Sequence, residues 1–107
     1  MNIRFEYLYR DAANYKIRGD VVFLNSQNLD PAFIEEQIRK ELIDTEFFVA
    51  ESVKIPVLRF DVRDETLDHG WHQYHAVSPT EDRANDSESR DISDLITSLQ
   101  RTSKLWR

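Results

Sequence analysis

The sequence predicts an α+β fold, a mostly antiparallel sheet of about five strands with two helices packed on one face, in the order β-β-α-β-β-β-α. Three observations lead there. Apolar residues alternate with polar ones through the first 24 positions. Two later segments carry apolar residues at helical spacing, and the stretches between them are rich in β-branched and aromatic side chains.

Residues 3 to 10 place Ile3, Phe5, Tyr7 and Tyr9 on one face and Arg4, Glu6 and Arg10 on the other, the signature of a half-buried strand. After the turn-forming "DAAN", the residues Tyr15, Ile17, Val21 and Phe23 repeat the alternation, so the two segments form a hairpin, with Gly19 as a possible bulge. Leu8, Val22 and Leu24 then fall on the face meant for water, which calls for a cover from the C-terminal segment or a second subunit. "NLDPAFIEEQIRKEL" reads as a helix, with Asp30 as N-cap, Pro31 at the first helical position and a stripe of Ile34, Ile38 and Leu42 that Phe33 widens. "EFFVAE" (46 to 51), "IPVLRFDV" (55 to 62) and "WHQYHAV" (71 to 77) read as strands, Pro56 suiting the beginning or edge of the second. The polar stretch 78 to 91 holds no apolar residue larger than alanine and is expected to be a flexible loop outside the core. Residues 92 to 107 complete the chain as a helix with Ile92, Leu95, Ile96 and Leu99 on one side and Asp91 and Ser93 as capping candidates.

The 107 residues make one domain. Two glycines are too few for a phosphate loop or a dinucleotide fingerprint. A net charge of −6 repels polyanions, so no nucleic-acid polymer is an expected partner. The lack of cysteine excludes disulfides, thiolate metal sites and cysteine nucleophiles, and fits a reducing, cytoplasmic setting. The opening "MNIRFEYLYR" has no apolar export region, and no apolar run reaches a membrane span.

All three histidines fall in "LDHGWHQYH" (67 to 75). On a strand, His72 and Tyr74 share one face while Trp71, Gln73 and His75 share the other, so the imidazoles do not converge on one ion and no metal site is expected. His69, Trp71 and His72 are the alternative site: His69 or His72 would serve as general base, oriented by Asp64 or Asp68. No nucleophile elbow accompanies them. Asp61, Asp64, Glu65 and Asp68 lack the order of a calcium loop and read as a solvated turn.

A second constellation gathers at one end of the hairpin, where Tyr7, Tyr9, Arg10, Tyr15, Lys16 and Arg18 combine aromatic faces with cations. Such groups hold an anionic, ring-bearing ligand by stacking and charge-assisted hydrogen bonds. The same residues also suit a plain sheet face whose cations are neutralised by Glu6, Asp11 and Asp20.

"FEYLYRDAANYK" (5 to 16), "LIDTEFFVAE" (42 to 51) and "LDHGWHQY" (67 to 74) resemble segments of a family of short bacterial proteins, including cyanobacterial members, of unknown function. The resemblance covers most of residues 3 to 75. It implies a stand-alone bacterial protein and carries over no functional residue.

These readings lead to a non-catalytic module that self-associates, as a homodimer, and binds a protein partner or a small anionic, nucleotide-like ligand without a cofactor. Leu105 and Trp106, lying beyond the helical stripe, add to the expectation of a second subunit. The alternative is a small hydrolase or metal-dependent enzyme using histidine and carboxylate groups.

Overall fold

The computed structural model describes residues 1–11, 13–58 and 71–106. Its first two strands, β1 (Asn2–Arg10) and β2 (Lys16–Phe23), pair antiparallel in continuous register from Ile3 opposite Phe23 to Arg10 opposite Lys16. Gly19 is therefore not a bulge. It faces Tyr7 across the ladder, and a Cβ there would stand 2.9 Å from Leu58 Cδ2 and 3.2 Å from Tyr7 Cζ, so any larger residue requires the Leu58 side chain to shift. Asp11 closes the turn by accepting the Ala13 and Tyr15 amides on Oδ1, while Asn14 takes the left-handed backbone conformation that asparagine tolerates.

Helix α1 (Pro31–Arg39) starts as its sequence dictates, with Asp30 accepting the Ala32 amide. Such a cap is worth about 1 kcal/mol. A tight turn then returns the chain through Asp44 and Thr45, both at positive φ, to β3 (Phe47–Val49) and a 3₁₀ turn, Ala50–Val53. Strand β4 (Trp71–Thr80) lies between β1 and β3, giving an antiparallel sheet of order β2-β1-β4-β3. Helix α2 (Ile92–Thr102) opens on a reciprocal cap: Asp91 accepts the Ser93 amide and Asp94 accepts the Asp91 amide. A second 3₁₀ turn, Ser103–Trp106, ends the described chain.

The class is α+β, with four strands among the described residues rather than five. The expected strand 46 to 51 is shortened to three residues because Ala50 and Val53 turn inward to the core. Of the expected strand 55 to 62, residues 55 to 58 are irregular and the remainder lies outside the described residues. The strand expected at 71 to 77 instead runs to Thr80, taking the first three residues of the supposed loop into pairs with Asn2, Ile3 and Arg4. Pro79 is tolerated there because β3 covers only residues 71 to 73, which leaves that end of β4 an edge. A register shift between Glu6 and Tyr7 lets both Tyr74 and Val77 pack inward.

The rest of the polar stretch contributes a buried ion pair: the Arg90 guanidinium binds both Asp86 oxygens, at 2.9 and 3.0 Å, and donates to the Val53 and Lys54 carbonyls. Asn85 fills the edge of β2, its amide donating to the Val22 carbonyl and its Oδ1 accepting the Val22 amide. Residues 78 to 91 thus join the sheet and its margin where a loop is expected, and, as expected, add no side chain to the apolar core. Arg4 reaches from β1 to Asp20 and Asp82, and Asn2 donates to the Asp82 carbonyl.

One core unites the fold. Ile3, Phe5, Tyr7, Val21, Phe23, Phe48 and Tyr74 from the sheet meet Ile34, Ile38, Ile92, Leu95 and Leu99 from the helices. Leu8 and Val22 are buried within the single chain, which withdraws them from the argument for a second subunit, whereas Leu24 stays 45% exposed. The tail folds back on its own domain: Trp106 packs against the core and its Nε1 donates to Ser52 Oγ, while Leu105 remains 82% exposed.

Candidate functional site

Strand alternation decides what each proposed site residue can do. Tyr7 and Tyr9 point inward with Phe5, each 2% exposed, so neither offers a face to a ligand. The Tyr7 hydroxyl donates to the Pro56 carbonyl at 2.5 Å. Burial, reinforced by the negative charge of Asp20, pushes its pKa up to about 12. Tyr15 is two-thirds exposed at the hairpin tip, and Lys16 and Arg18 are exposed on β2. Arg18 lines a shallow depression with Arg4, Glu6, Gly19 and Asp20, where two guanidinium groups are matched by two carboxylates. The six residues therefore do not form one anion site: a strand sends Tyr7 and Tyr9 to the opposite face from Arg10, Lys16 and Arg18.

His72 and Trp71 also part company. His72 is buried at 2% exposure beside the rings of Tyr9, Tyr7 and Phe48, with ring centres 5.2, 6.0 and 6.1 Å away. Its Nε2 accepts the Leu58 amide at 3.0 Å, which makes it a neutral imidazole anchoring the chain after Pro56. Such a nitrogen is committed to structure and does not face a substrate. His75 is exposed on the other face. His69 lies outside the described residues, as do Asp61, Asp64, Glu65 and Asp68. Among the described residues no three histidine, aspartate or glutamate side chains cluster in a way that would hold a metal ion.

What the fold does assemble is a cleft on the sheet face opposite the core. Since Tyr9, Phe48, His72 and Tyr74 point inward, Arg10 of β1, Phe47 of β3, and Trp71 and Gln73 of β4 point outward. These four, with Asp11 and Glu46, line a cleft of about 260 Å³. Trp71 is 37% exposed in it. Its floor is ordered: Gln73 Nε2 donates to Glu46 Oε1 at 2.5 Å, and the Tyr74 amide donates to the Glu46 carbonyl at 2.8 Å. Glu46 is delivered by the Asp44–Thr45 turn, whose Thr45 carbonyl accepts the Arg39 guanidinium.

Beneath this floor, Tyr74 donates its hydroxyl to Glu35 at 3.0 Å while Arg39 stacks 4.7 Å above its ring. Burial and then the Glu35 carboxylate raise the Tyr74 pKa, so it stays a neutral donor. Sequence reasoning named Arg10 and Trp71 for two different sites and missed Asp11, Glu46, Phe47 and Gln73. The available signal was the alternation itself, which sets Arg10 opposite to Tyr9 and Gln73 on the side of Trp71.

The fold and this cleft define a small α+β domain with one sheet face against its helices and an aromatic, mixed-charge cleft on the other. Comparison with family models, curated proteins and solved structures finds no match to this chain.

Proposed function

We propose that this protein is a non-catalytic interaction module whose contact surface is the outward sheet face around Trp71. The observation that carries the reading is the division of labour on β4: His72, the one described histidine with a catalytic assignment, is spent on the Leu58 amide inside the core, while Trp71 stands half-open beside Phe47 and Arg10. Tryptophan and arginine are the side chains that most often dominate contact energies between proteins. The cleft volume of about 260 Å³ falls below the usual range for small-molecule sites, roughly 300–1,000 Å³, and suits protruding side chains better than an enclosed nucleotide. Asp11 and Glu46 outnumber Arg10 in its lining, which disfavours the small anionic ligand. No described helix is long and apolar enough to cross a membrane.

The test is photo-cross-linking in living cells with a benzophenone amino acid in place of Trp71, beside a control in place of the exposed Phe33 on α1. The reading expects a discrete cross-linked polypeptide from position 71 and none from position 33. Equal cross-linking from both positions, or none from position 71, contradicts it.

A further inference from the structure

We infer that the open edge of β2 pairs with a second copy of this chain, antiparallel about a twofold axis at Arg18, so that Lys16 of each copy lies opposite Asp20 of the other. The pairing uses the β2 margin of the sheet, apart from the Trp71 face. It starts from the direction of the backbone groups. The Val22 amide donates to Asn85 Oδ1 at 2.8 Å and the Val22 carbonyl accepts the Asn85 amide at 2.9 Å, so Val22 turns its bonding groups away from β1. These groups alternate along a strand: Asp20, Arg18 and Lys16 also turn theirs outward, while Gly19 and Ile17 bond β1. Among the described residues no group bonds the outward amides and carbonyls of Lys16, Arg18 and Asp20. The neighbouring margin is closed, with Asn85 on Val22 and the Ile92 amide on the Leu24 carbonyl. At the far edge of the sheet, Phe47 exchanges both of its backbone bonds with Ile43. A sheet that closes its edges at these places and leaves one stretch bare offers that stretch for strand addition.

Register and charge name the occupant. Asn85 stands in the way of an incoming strand at Val22, which confines pairing to residues 16 to 20. Antiparallel strands set outward residues opposite outward residues, and an axis at Arg18 brings the whole bare stretch of each copy into register. Lys16, exposed, then faces the partner's Asp20, and the contact occurs twice by symmetry. The Asp20 side chain is 50% exposed and gives Oδ2 to Arg4, which leaves Oδ1 for the lysine, and Glu6 stands behind it on β1. On the core side, half-buried Ile17 faces the partner's Gly19 and gains the partner's Leu58, whose side chain fills the space over that glycine. Arg18 meets its own copy on the axis, a like-charge contact offset by the partner's Asp20 diagonally beside it. Lysine on an open edge ordinarily deters pairing. Only a strand with an acid at the facing position matches it, and this chain carries that acid itself, which is the self-complementarity an isologous interface requires.

The experiment is sedimentation velocity at physiological ionic strength, where the repulsion between two chains of net charge −6 is screened, with circular dichroism melts to verify folding. The native chain is expected to be a dimer. Arg18→Pro removes an amide that faces away from β1, a place where an edge strand tolerates proline, and should yield a folded monomer. Arg18→Thr keeps that amide and should remain a dimer. Lys16→Glu sets like charges opposite one another twice and is expected to weaken association about tenfold. The same chain carrying Asp20→Lys as well has both opposite-charge pairs restored and should regain the loss. If Arg18→Pro prevents folding, the charge exchange at Lys16 and Asp20 decides. A monomeric native chain overturns the second copy as occupant of this edge. A folded Arg18→Pro dimer, a monomeric Arg18→Thr, or a double exchange no tighter than Lys16→Glu alone overturns the assigned pairing.

Discussion

Arg90 closes on Asp86 with two hydrogen bonds, and the same guanidinium caps the Val53 and Lys54 carbonyls, so one side chain joins the stretch before α2 to the turn after β3. It also lies 5.5 Å over the Phe23 ring, against the core of the sheet. The Asp86 side chain is 1% exposed and that of Arg90 11%. Removing one member strands a buried charge, which typically costs about 3–5 kcal/mol. Arg90→Met is therefore expected to lower the free energy of unfolding by about 3 kcal/mol or more in urea titration. A loss below 1 kcal/mol, about what an exposed pair gives, would show that the pair is not a structural clamp.

The same pair sets part of the acid limit. Burial alone would raise the Asp86 carboxyl, but the hydrogen bonds and charge of Arg90 hold it below its ordinary value of 3.8. Asp91 behaves likewise: burial raises it, and bonds from Ser26 and Ser93 bring it below 3.8. Folded values beneath the unfolded one mean that both groups stabilise the fold above pH 3.8 and lose that contribution as pH falls through the folded values. Stability measured against pH should show an acid limb below about 4 that is shallower in Asp86→Asn. An unchanged slope in that variant would contradict the assignment.

Tyr7 sets an alkaline limb by the opposite sign. Burial and Asp20 raise it from 10.0 to about 12, so its stabilisation is complete below pH 10 and is lost as pH climbs through the folded value. Tyr7→Phe should cost about 1 kcal/mol at neutral pH, because the Pro56 carbonyl loses its donor, and should flatten the alkaline limb. Tyr74, also raised, retains the remainder. Chemical denaturation at neutral pH and near pH 11 would check both effects together.

Thr45 has φ 58, a left-handed conformation that a β-branched residue adopts only at a cost, and it precedes Glu46 in the cleft. Such strain is worth about 1–3 kcal/mol, part of which glycine returns to the unfolded chain as entropy. Thr45→Gly is expected to raise the thermal midpoint in calorimetry, with a gain of about 1 kcal/mol. A lowered midpoint would mean that the turn is relaxed as it stands.

Much of the fold was legible from period and caps. The alternation of Ile3, Phe5 and Tyr7 gave the hairpin its inward face, Asp30 and Asp91 marked where the helices begin, and Ile34, Ile38, Ile92 and Leu95 marked the sides they bury. The separation of His72 from Trp71 followed from the same two-residue period. Three features did not follow from local pattern. Ser78, Pro79 and Thr80 look like a loop, and only the pairing with Asn2–Arg4 makes them a strand. Asp86 and Arg90 look like solvated charges, and their four-residue spacing becomes a clamp only when Val53 and Lys54 arrive beside it. The candidate site combines residues from β1, β3, β4 and the turn before β3, so proximity in sequence misled: Tyr7 and Tyr9 are neighbours of Arg10 in the chain but lie across the sheet from it, whereas Glu46 is distant in the chain and shares its cleft.

The contact surface around Trp71 can be read most directly from that side chain. In Trp106→Phe protein, Trp71 is the one remaining tryptophan, and acrylamide quenching of its fluorescence reports whether its edge is open for a partner to cover. Strong quenching in dilute purified protein is the predicted result, because Trp71 is 37% exposed on the outward sheet face. Quenching as weak as that of a fully buried tryptophan would contradict the contact surface.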